Sequence, residues 1–254
     1  MELACSTFAF TRYSLEDALR SMVELGYSRA ELAIQPQSRH LTAEQICQDF
    51  EGCLERLRGI HGITPGAFLV ELASPELRLW QRQFPEVCRL ANLLGVVTVT
   101  VVAGHRGSDW SKEVQRLRQI VAWAFPYGVV VCVETQLGRW TESPEAAVEL
   151  CRCVPGLRLT LDPSHYLCQG VSEKALDCLY PYVHHVQLRD SGQTPDKLQV
   201  RTGQGQMPFS RIIQQLRRYE YRGLITVEMF DEPPPAFPLE PELRTLRLLL
   251  AGMI

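Results

Sequence analysis

The chain has 254 residues, 46% hydrophobic and 22% charged, with a formal net charge of −3, a profile that suits a water-soluble globular protein with a substantial core. A slightly negative balance leaves no electrostatic footprint for nucleic acid or an anionic membrane. No segment approaches the length of an apolar membrane span, and Met1-Glu-Leu-Ala-Cys-Ser6 has no basic stretch ahead of an apolar run, so neither a spanning helix nor a signal peptide is expected and the cytoplasm is the expected location. The nine cysteines are an odd number. Their one close pair, Cys151-Arg-Cys153, lacks zinc-finger or redox spacing, so reduced thiols packed as small core residues are expected.

Leu3–Ser6 reads as a first strand, and Ser14 caps a helix that runs to about Leu25 and closes at Gly26. Ala30–Ile34 is the second strand. Thr42, with Glu44 and Gln45 behind it, opens one long helix towards Arg58. Thr64–Val70 is a third strand despite Pro65 and Gly66, and Pro75–Leu94 is a helix ended by Gly95. Val96–Val102 is the plainest strand in the chain, all Val and Thr. Ser111–Phe125 is a helix, Val129–Val133 a strand, and Pro144–Cys153 a helix with proline in its first turn. Leu157–Leu161 is the sixth strand, Ser172–Leu179 a short helix, and Val183–Leu188 the seventh strand. A polar stretch, Asp190–Met207, precedes a helix over Phe209–Tyr219; Leu224–Val227 is the eighth strand and Pro241–Leu250 the closing helix.

Strands and helices alternate eight times, and several strands are apolar on successive residues, as when both faces are covered. The pattern predicts a single (β/α)8 TIM barrel over residues 1–254. An open doubly wound sheet would need a glycine-rich loop after the first strand, and Ser6-Thr-Phe-Ala-Phe-Thr11 is not one. The proline-rich Asp231–Pro238 reads as a loop after the eighth strand.

In such a barrel the catalytic groups project from the carboxyl ends of the strands. The second strand carries Glu31 and Gln35, the fourth ends near His105, and the fifth ends at Glu134. The sixth leads into Asp162-Pro-Ser-His165, where the proline stops the strand and sets His165 on the loop above. The seventh reads His185-Val-Gln187-Leu-Arg189-Asp190, and the eighth ends at Glu228. Glu134, Asp162 and Glu228 each terminate an apolar run. Three carboxylates in one confined mouth repel one another and resist desolvation unless a cation neutralises them. That cost argues for one divalent metal, with Gln187 as a fourth ligand. Oxygen donors suit Mn2+ or Mg2+, with Co2+ or Zn2+ as further candidates.

Arg189, Glu31 and His105 are candidates for binding substrate, with Arg201 behind them. Phe8, Trp110 and Trp140 lie on strand-to-helix loops, where aromatic rings can stack on a sugar. Gly203-Gln-Gly205 before a helix is the nearest thing to an anion cradle. It lacks a third glycine or a lysine, so an unphosphorylated substrate is expected.

Glu134, the Asp162-x-x-His165 tetrad, the His185-x-Gln187-Leu-Arg-Asp190 strand and the Gly203-Gln-Gly205…Tyr221-Arg-Gly223-Leu-Ile-Thr-Val-Glu228 tail together resemble the xylose isomerase-like TIM barrels. These are sugar phosphate isomerases and epimerases of the AP endonuclease 2 type, a superfamily that also includes endonuclease IV. The resemblance spans the whole chain, with its specific motifs in residues 128–230, and the site pattern is nearest to ketose 3-epimerases. It implies four metal ligands, a Glu, an Asp, a His and a Glu from strands five to eight, which look like Glu134, Asp162, Gln187 and Glu228. The chain departs from the family at Gln187, where a histidine is usual. An amide oxygen still coordinates, but it is harder and weaker than imidazole. His185, two residues earlier on the same strand face, is read as a packed residue behind the site.

The resemblance further implies proton transfer α to a carbonyl of a small sugar or polyol, through an enediolate. Glu134 and Glu228 would double as ligands and proton-transfer groups, and His165 would orient the substrate or act beside them. An inosose dehydratase, a lyase, begins with the same proton abstraction, and a non-catalytic sugar-binding barrel is a further alternative. A nuclease like endonuclease IV is disfavoured: that branch has Asp-Arg-His after strand seven, where this chain reads Lys197-Leu-Gln-Val-Arg-Thr202. Barrels of this type are often dimers or tetramers, which leaves a homo-oligomer open.

Overall fold

Residues 1–254 are described by a computed structural model, in which eight parallel strands close into one barrel with β1 paired to β8. The order is β1 (Glu2–Ser6), α1 (Leu15–Glu24), β2 (Arg29–Ile34), α2 (Ala43–Gln48), α3 (Phe50–Arg58), β3 (Thr64–Val70), α4 (Leu77–Leu93) and β4 (Thr98–Val101). It continues with α5 (Trp110–Ala124), β5 (Val130–Glu134), α6 (Pro144–Cys153), β6 (Arg158–Leu161) and the single turn α7 (Ser164–Leu167). The chain closes with β7 (Val183–Leu188), α8 (Phe209–Arg218), β8 (Leu224–Val227) and α9 (Leu239–Ala251). The expected TIM barrel is the observed fold.

The two phases of each strand do different work, because successive side chains point to opposite sides. Val131, Val133, Leu159, Leu161, Val186, Leu188, Ile225 and Val227 belong to the hydrophobic core shared with the helices. Each such side chain contributes roughly 1.5–3 kcal/mol by leaving water. The other phase is polar and faces the barrel interior. Thr100 and Thr160 share a 2.7 Å hydrogen bond although β4 and β6 are not neighbours, and Gln187 on β7 reaches Glu31 on β2. Following this inner phase upward leads from Cys132 to Glu134, from Thr160 to Asp162, from His185 to Gln187 and Arg189, and from Thr226 to Glu228.

Three local expectations are corrected. The helix expected from Thr42 to Arg58 is two helices, because Asp49 leaves helical geometry (φ −141°, ψ 70°). Its carboxylate then caps α3 by accepting from the Gly52 N–H at 3.0 Å, an N-cap hidden inside an amphipathic run. The helix expected over Ser172–Leu179 is a 3-10 turn, Glu173–Cys178, preceded by α7. Gly203-Gln-Gly205 does hold an anion, but one of the protein's own. The buried Asp190 carboxylate accepts from the N–H groups of Ser191, Gly203, Gly205 and Met207 at 3.0, 2.7, 3.1 and 3.3 Å. A Cβ on Gly205 would lie 2.0 Å from Asp190 Oδ1 and 2.6 Å from the Ser191 carbonyl oxygen, so only glycine fits.

All nine cysteines are free thiols, and no helix is long and apolar enough to cross a membrane. Asp190→Ala should leave those backbone N–H groups without their acceptor. At about 1 kcal/mol per hydrogen bond, a loss of about 2–4 kcal/mol is expected in urea denaturation, with new trypsin cleavage after Lys197 or Arg201. A second prediction concerns α1 and α3, joined by Glu16 accepting from Arg56 Nε at 2.5 Å and Nη2 at 2.9 Å. These hydrogen bonds hold the Glu16 carboxyl down at about 2. A depressed carboxyl stabilises the fold above its ordinary titration range and loses that contribution as pH falls through the depressed value. Glu16→Gln should therefore cost no more than about 1 kcal/mol at neutral pH, since the pair is half exposed. The difference in urea midpoint should shrink towards zero as pH drops from the ordinary carboxylate range towards 2.

Candidate active site

The carboxyl ends of β5 to β8, with β2 from across the barrel, bring Glu31, Glu134, Asp162, Gln187, Arg189 and Glu228 together, all buried. Short polar residues fix this rim. Thr135 Oγ1 accepts from the Asp162 N–H at 2.8 Å and donates to the Asp162 carbonyl at 3.1 Å, which clamps the end of β5 to the end of β6. Thr141 Oγ1 donates to the Glu134 carbonyl at 2.6 Å, and Tyr166 OH donates to the Thr141 carbonyl at 2.7 Å. Pro163 ends β6, and Ser164 then turns its N–H (2.9 Å) and Oγ (2.5 Å) onto Asp162 Oδ1. Asp162 Oδ2 is left to face Arg189 and His165.

His165 sits on α7 with Nε2 3.7 Å from both Glu134 Oε1 and Asp162 Oδ2, and neither ring nitrogen has a hydrogen-bond partner. Burial pushes its pKa down to about 4, against the pull of Asp162, so the ring is neutral. Burial, and then the charge of Asp162, push the Glu134 carboxyl up to about 8, and no hydrogen bond holds its ionised form. Asp162 goes the other way. Burial opposes its ionisation, but the charge of Arg189 and the two Ser164 hydrogen bonds outweigh burial and hold it below the ordinary carboxylate value.

Arg189 has no solvent exposure. Its Nη2 donates to Asp162 Oδ2 and, at 2.5 Å, to Glu228 Oε2. The guanidinium carbon lies 4.1 Å from the centre of the Phe230 ring, and Nε and Nη1 have no partner. Gln187 Nε2 donates to Glu31 Oε1 at 3.0 Å and to Glu228 Oε1 at 3.1 Å, leaving its Oε1 buried without a partner. Burial pushes the Glu228 carboxyl upward while Arg189 opposes it. His185 lies behind the site, its Nε2 3.2 Å from Thr226 Oγ1 and 3.4 Å from Glu31 Oε1.

The donor set fits a divalent cation. Four carboxylates surround one guanidinium, and the unpartnered Gln187 Oε1 and one nitrogen of the neutral His165 ring are further lone-pair donors. Glu134, Asp162 and His165 offer ligand atoms that all lie within 4.8 Å of one another.

His105 is not in this cluster. It is exposed, accepts from Arg139 Nη1 at 3.2 Å, and lines a cleft of about 500 Å3 above β3 and β4 together with Trp80 and Arg116. Trp110 and Trp140 pack edge to face at 5.1 Å, and Arg201 is exposed over Phe237 at 5.7 Å. Phe8 meets Phe230 at 5.6 Å. Phe230, Thr135 and Ser164 were not foreseen as site residues. Phe230 lies two residues beyond Glu228, and Thr135 directly follows a strand-end glutamate, so strand phase and position were the available signals.

Residues 19–249 match the model of the family described as "Xylose isomerase-like TIM barrel". No curated protein matches the chain in sequence. Among solved structures, the chain is similar to the probable 3-DHS dehydratase AsbF involved in petrobactin synthesis from Bacillus anthracis, at 18% identity and a TM-score of 0.77 over 99% of each chain. It is similar to the IOLI protein with a binding zinc atom, at 19% identity and a TM-score of 0.77 over 100% of this chain and 99% of the other. The D-psicose 3-epimerase from Clostridium cellulolyticum H10, solved with D-tagatose, matches at 15% identity and a TM-score of 0.74 over 100% and 99%. At these identities the likeness is one of fold.

Proposed function

The chain belongs to the xylose isomerase-like TIM barrel family, and from that premise we propose that it is a metal-assisted sugar isomerase or epimerase that moves a proton α to the carbonyl of a small sugar or polyol. The observation that carries this reading is the placement of Glu134, a buried carboxyl free of hydrogen bonds whose ligand atom lies within 4.8 Å of those of Asp162 and His165, with its proton affinity raised by burial and by the charge of Asp162. A carboxyl with raised proton affinity and no hydrogen bond to tie it down is suited both to take and to return a proton.

Glu134, Asp162, Gln187 Oε1 and Glu228 would hold the cation, Mn2+ or Mg2+ on oxygen donors, with Co2+ or Zn2+ favoured if His165 joins them. Bound there, it would supply Lewis-acid stabilisation of the charge that develops on the substrate's carbonyl oxygen. Glu134 removes the α-proton, and the electron pair left on carbon moves towards the carbonyl oxygen. Return of a proton from Glu228, three strands further round the barrel, to the opposite face inverts the carbon and gives an epimer. Return by Glu134 to the neighbouring carbon, with the proton of the adjacent hydroxyl passing to the former carbonyl oxygen, gives the aldose or ketose isomer instead. His165, neutral, has one N–H to give and one lone pair to receive, which suits it to orient a substrate hydroxyl. Glu31 acts through Gln187, whose amide it orients, and His105 with Arg139 would meet the far end of a longer substrate.

A dehydration shares the first step, and the likeness in fold to a probable 3-DHS dehydratase keeps that reading alongside. There, a carboxyl pushed up by burial, Glu228, would protonate the departing hydroxyl.

Incubation with ketoses, aldoses and inososes in D2O with Mn2+ should give deuterium at the carbon α to the carbonyl of the substrate. Glu134→Gln should slow that exchange by at least about a hundredfold; exchange at the full rate would remove Glu134 from the mechanism. Loss of water from the substrate in place of an isomer would select the dehydratase. After dialysis against Mn2+, elemental analysis should find about one equivalent of metal per chain. Protein that takes up none would sink the metal-assisted reading.

A further inference from the structure

Arg189 occupies a point that the proposed cation also needs. Its Nη2 lies between Asp162 Oδ2 and Glu228 Oε2, within hydrogen-bond distance of both. A cation bound to those two oxygens sits about 2.0–2.6 Å from each, so it and Nη2 contend for the same lone pairs. A guanidinium has donors only and cannot accept an electron pair from a substrate oxygen. The two cations are thus alternatives in place and different in chemistry.

Resting on the metal-assisted reading above, we propose that Arg189 is the resident counter-ion of the site. It holds Asp162 and Glu228 while no divalent cation is bound, leaves them when one binds, and so sets the affinity of the site for metal.

The surroundings allow that exchange. The guanidinium is held through one nitrogen, because Nε and Nη1 have no partner; a forked pair would use two. Beneath it lies the flat face of Phe230, which offers a cation–π surface along which the charge can shift. Phe230 is itself fixed. Its N–H donates to Gln199 Oε1 at 2.7 Å, its carbonyl accepts from Gln199 Nε2 at 3.0 Å, and Phe8 meets its ring. The backbone beside Arg189 is held by Asp190 and its ring of N–H groups. Only the arginine side chain has to move. Gln187 need not, since Glu31 and Glu228 already hold its NH2 group and leave Oε1 free. Once displaced, the guanidinium retains its charge at the rim and has N–H groups to offer a substrate oxygen, which would couple metal loading to substrate binding.

Mn2+ binding to the chelator-stripped full chain, read from the electron paramagnetic resonance signal of free Mn2+, tests this in the natural chain, Arg189→Met and Arg189→Lys. An internal competitor lowers apparent affinity by the fraction of sites it occupies, so Arg189→Met should bind at least about tenfold more tightly and Arg189→Lys should fall between. Guanidinium ion added to the Met variant should weaken its Mn2+ binding again. If Arg189→Met is too unstable to purify, Arg189→Lys alone decides, by binding more tightly than the natural chain or not. Equal or weaker binding in the variants overturns the proposal. So does failure of every form to bind Mn2+, which also removes the metal-assisted reading. Binding by the variants but not by the natural chain overturns the proposal together with metal assistance in the natural protein, since the guanidinium then never yields to the cation. Tighter binding without deuterium exchange on any sugar leaves the proposal standing and the substrate reading fallen.

Discussion

Four carboxylates buried at one end of a barrel set the terms for everything near them. At the effective dielectric of protein sites, two like charges a few ångströms apart cost about 4 kcal/mol, and burial adds a desolvation cost for each. The chain meets that cost differently at each residue. Glu134 has its proton affinity raised by burial and by the charge of Asp162. Asp162 stays ionised between Ser164 and Arg189. Glu31 and Glu228 share the two hydrogens of the Gln187 amide. The chemistry proposed for the site grows from this unevenness, since similar carboxyls with different proton affinities can act as acid, base and ligand in one place.

The barrel makes such a cluster tolerable by dividing labour along each strand. One phase buries Val, Leu and Ile against the helices, and this apolar layer offsets the cost of the polar one. The inner phase satisfies itself in pairs, Thr100 with Thr160 and His185 with Thr226, before opening at the top into groups that need an outside partner. Most of the orphaned buried atoms gather there. His165 Nδ1 and Nε2, Gln187 Oε1, Glu31 Oε2 and Arg189 Nε and Nη1 all belong to the one cluster. Six of the ten buried side-chain atoms without a partner thus lie at this one site, a concentration that suits a ligand-binding role.

Much of this was legible in the sequence, for physical reasons that also explain what was not. Apolar runs ending in Glu134, Asp162 and Glu228 mark strand ends because a strand covered on both faces must be apolar and its exit need not be. The Ser14 cap stands out because a helix needs its first N–H groups satisfied, whereas the Asp49 cap lay inside an amphipathic run that local periodicity reads as unbroken. The meeting of Asp190 with Gly203 and Gly205 joins residues more than a dozen positions apart, and no local pattern encodes it. Strand phase alone does put Arg189 on the inner side with Gln187. It does not say that the guanidinium lies across two of the expected metal ligands rather than out in the mouth. His105 shows the opposite case, a residue near a strand end whose loop carries it out to the rim.

Gln187 stands where the family resemblance implies a histidine ligand, and the geometry shows what an amide does there. A neutral imidazole that coordinates a cation through one nitrogen has a single N–H left to give. The position at Gln187 faces two carboxylates, Glu31 Oε1 at 3.0 Å and Glu228 Oε1 at 3.1 Å. An amide NH2 group serves both and still has a carbonyl oxygen to offer, the atom that is left unpartnered here. With Glu31 fully buried on β2, a histidine at this position could satisfy one of the two carboxylates or the other. The amide is therefore matched to Glu31 and Glu228 together, and on the proposed reading the weaker ligand comes with two hydrogen-bonded carboxylates. Glutamine and the buried glutamate opposite it form one unit, and the arginine two residues further along the strand completes the charge balance that the unit leaves open.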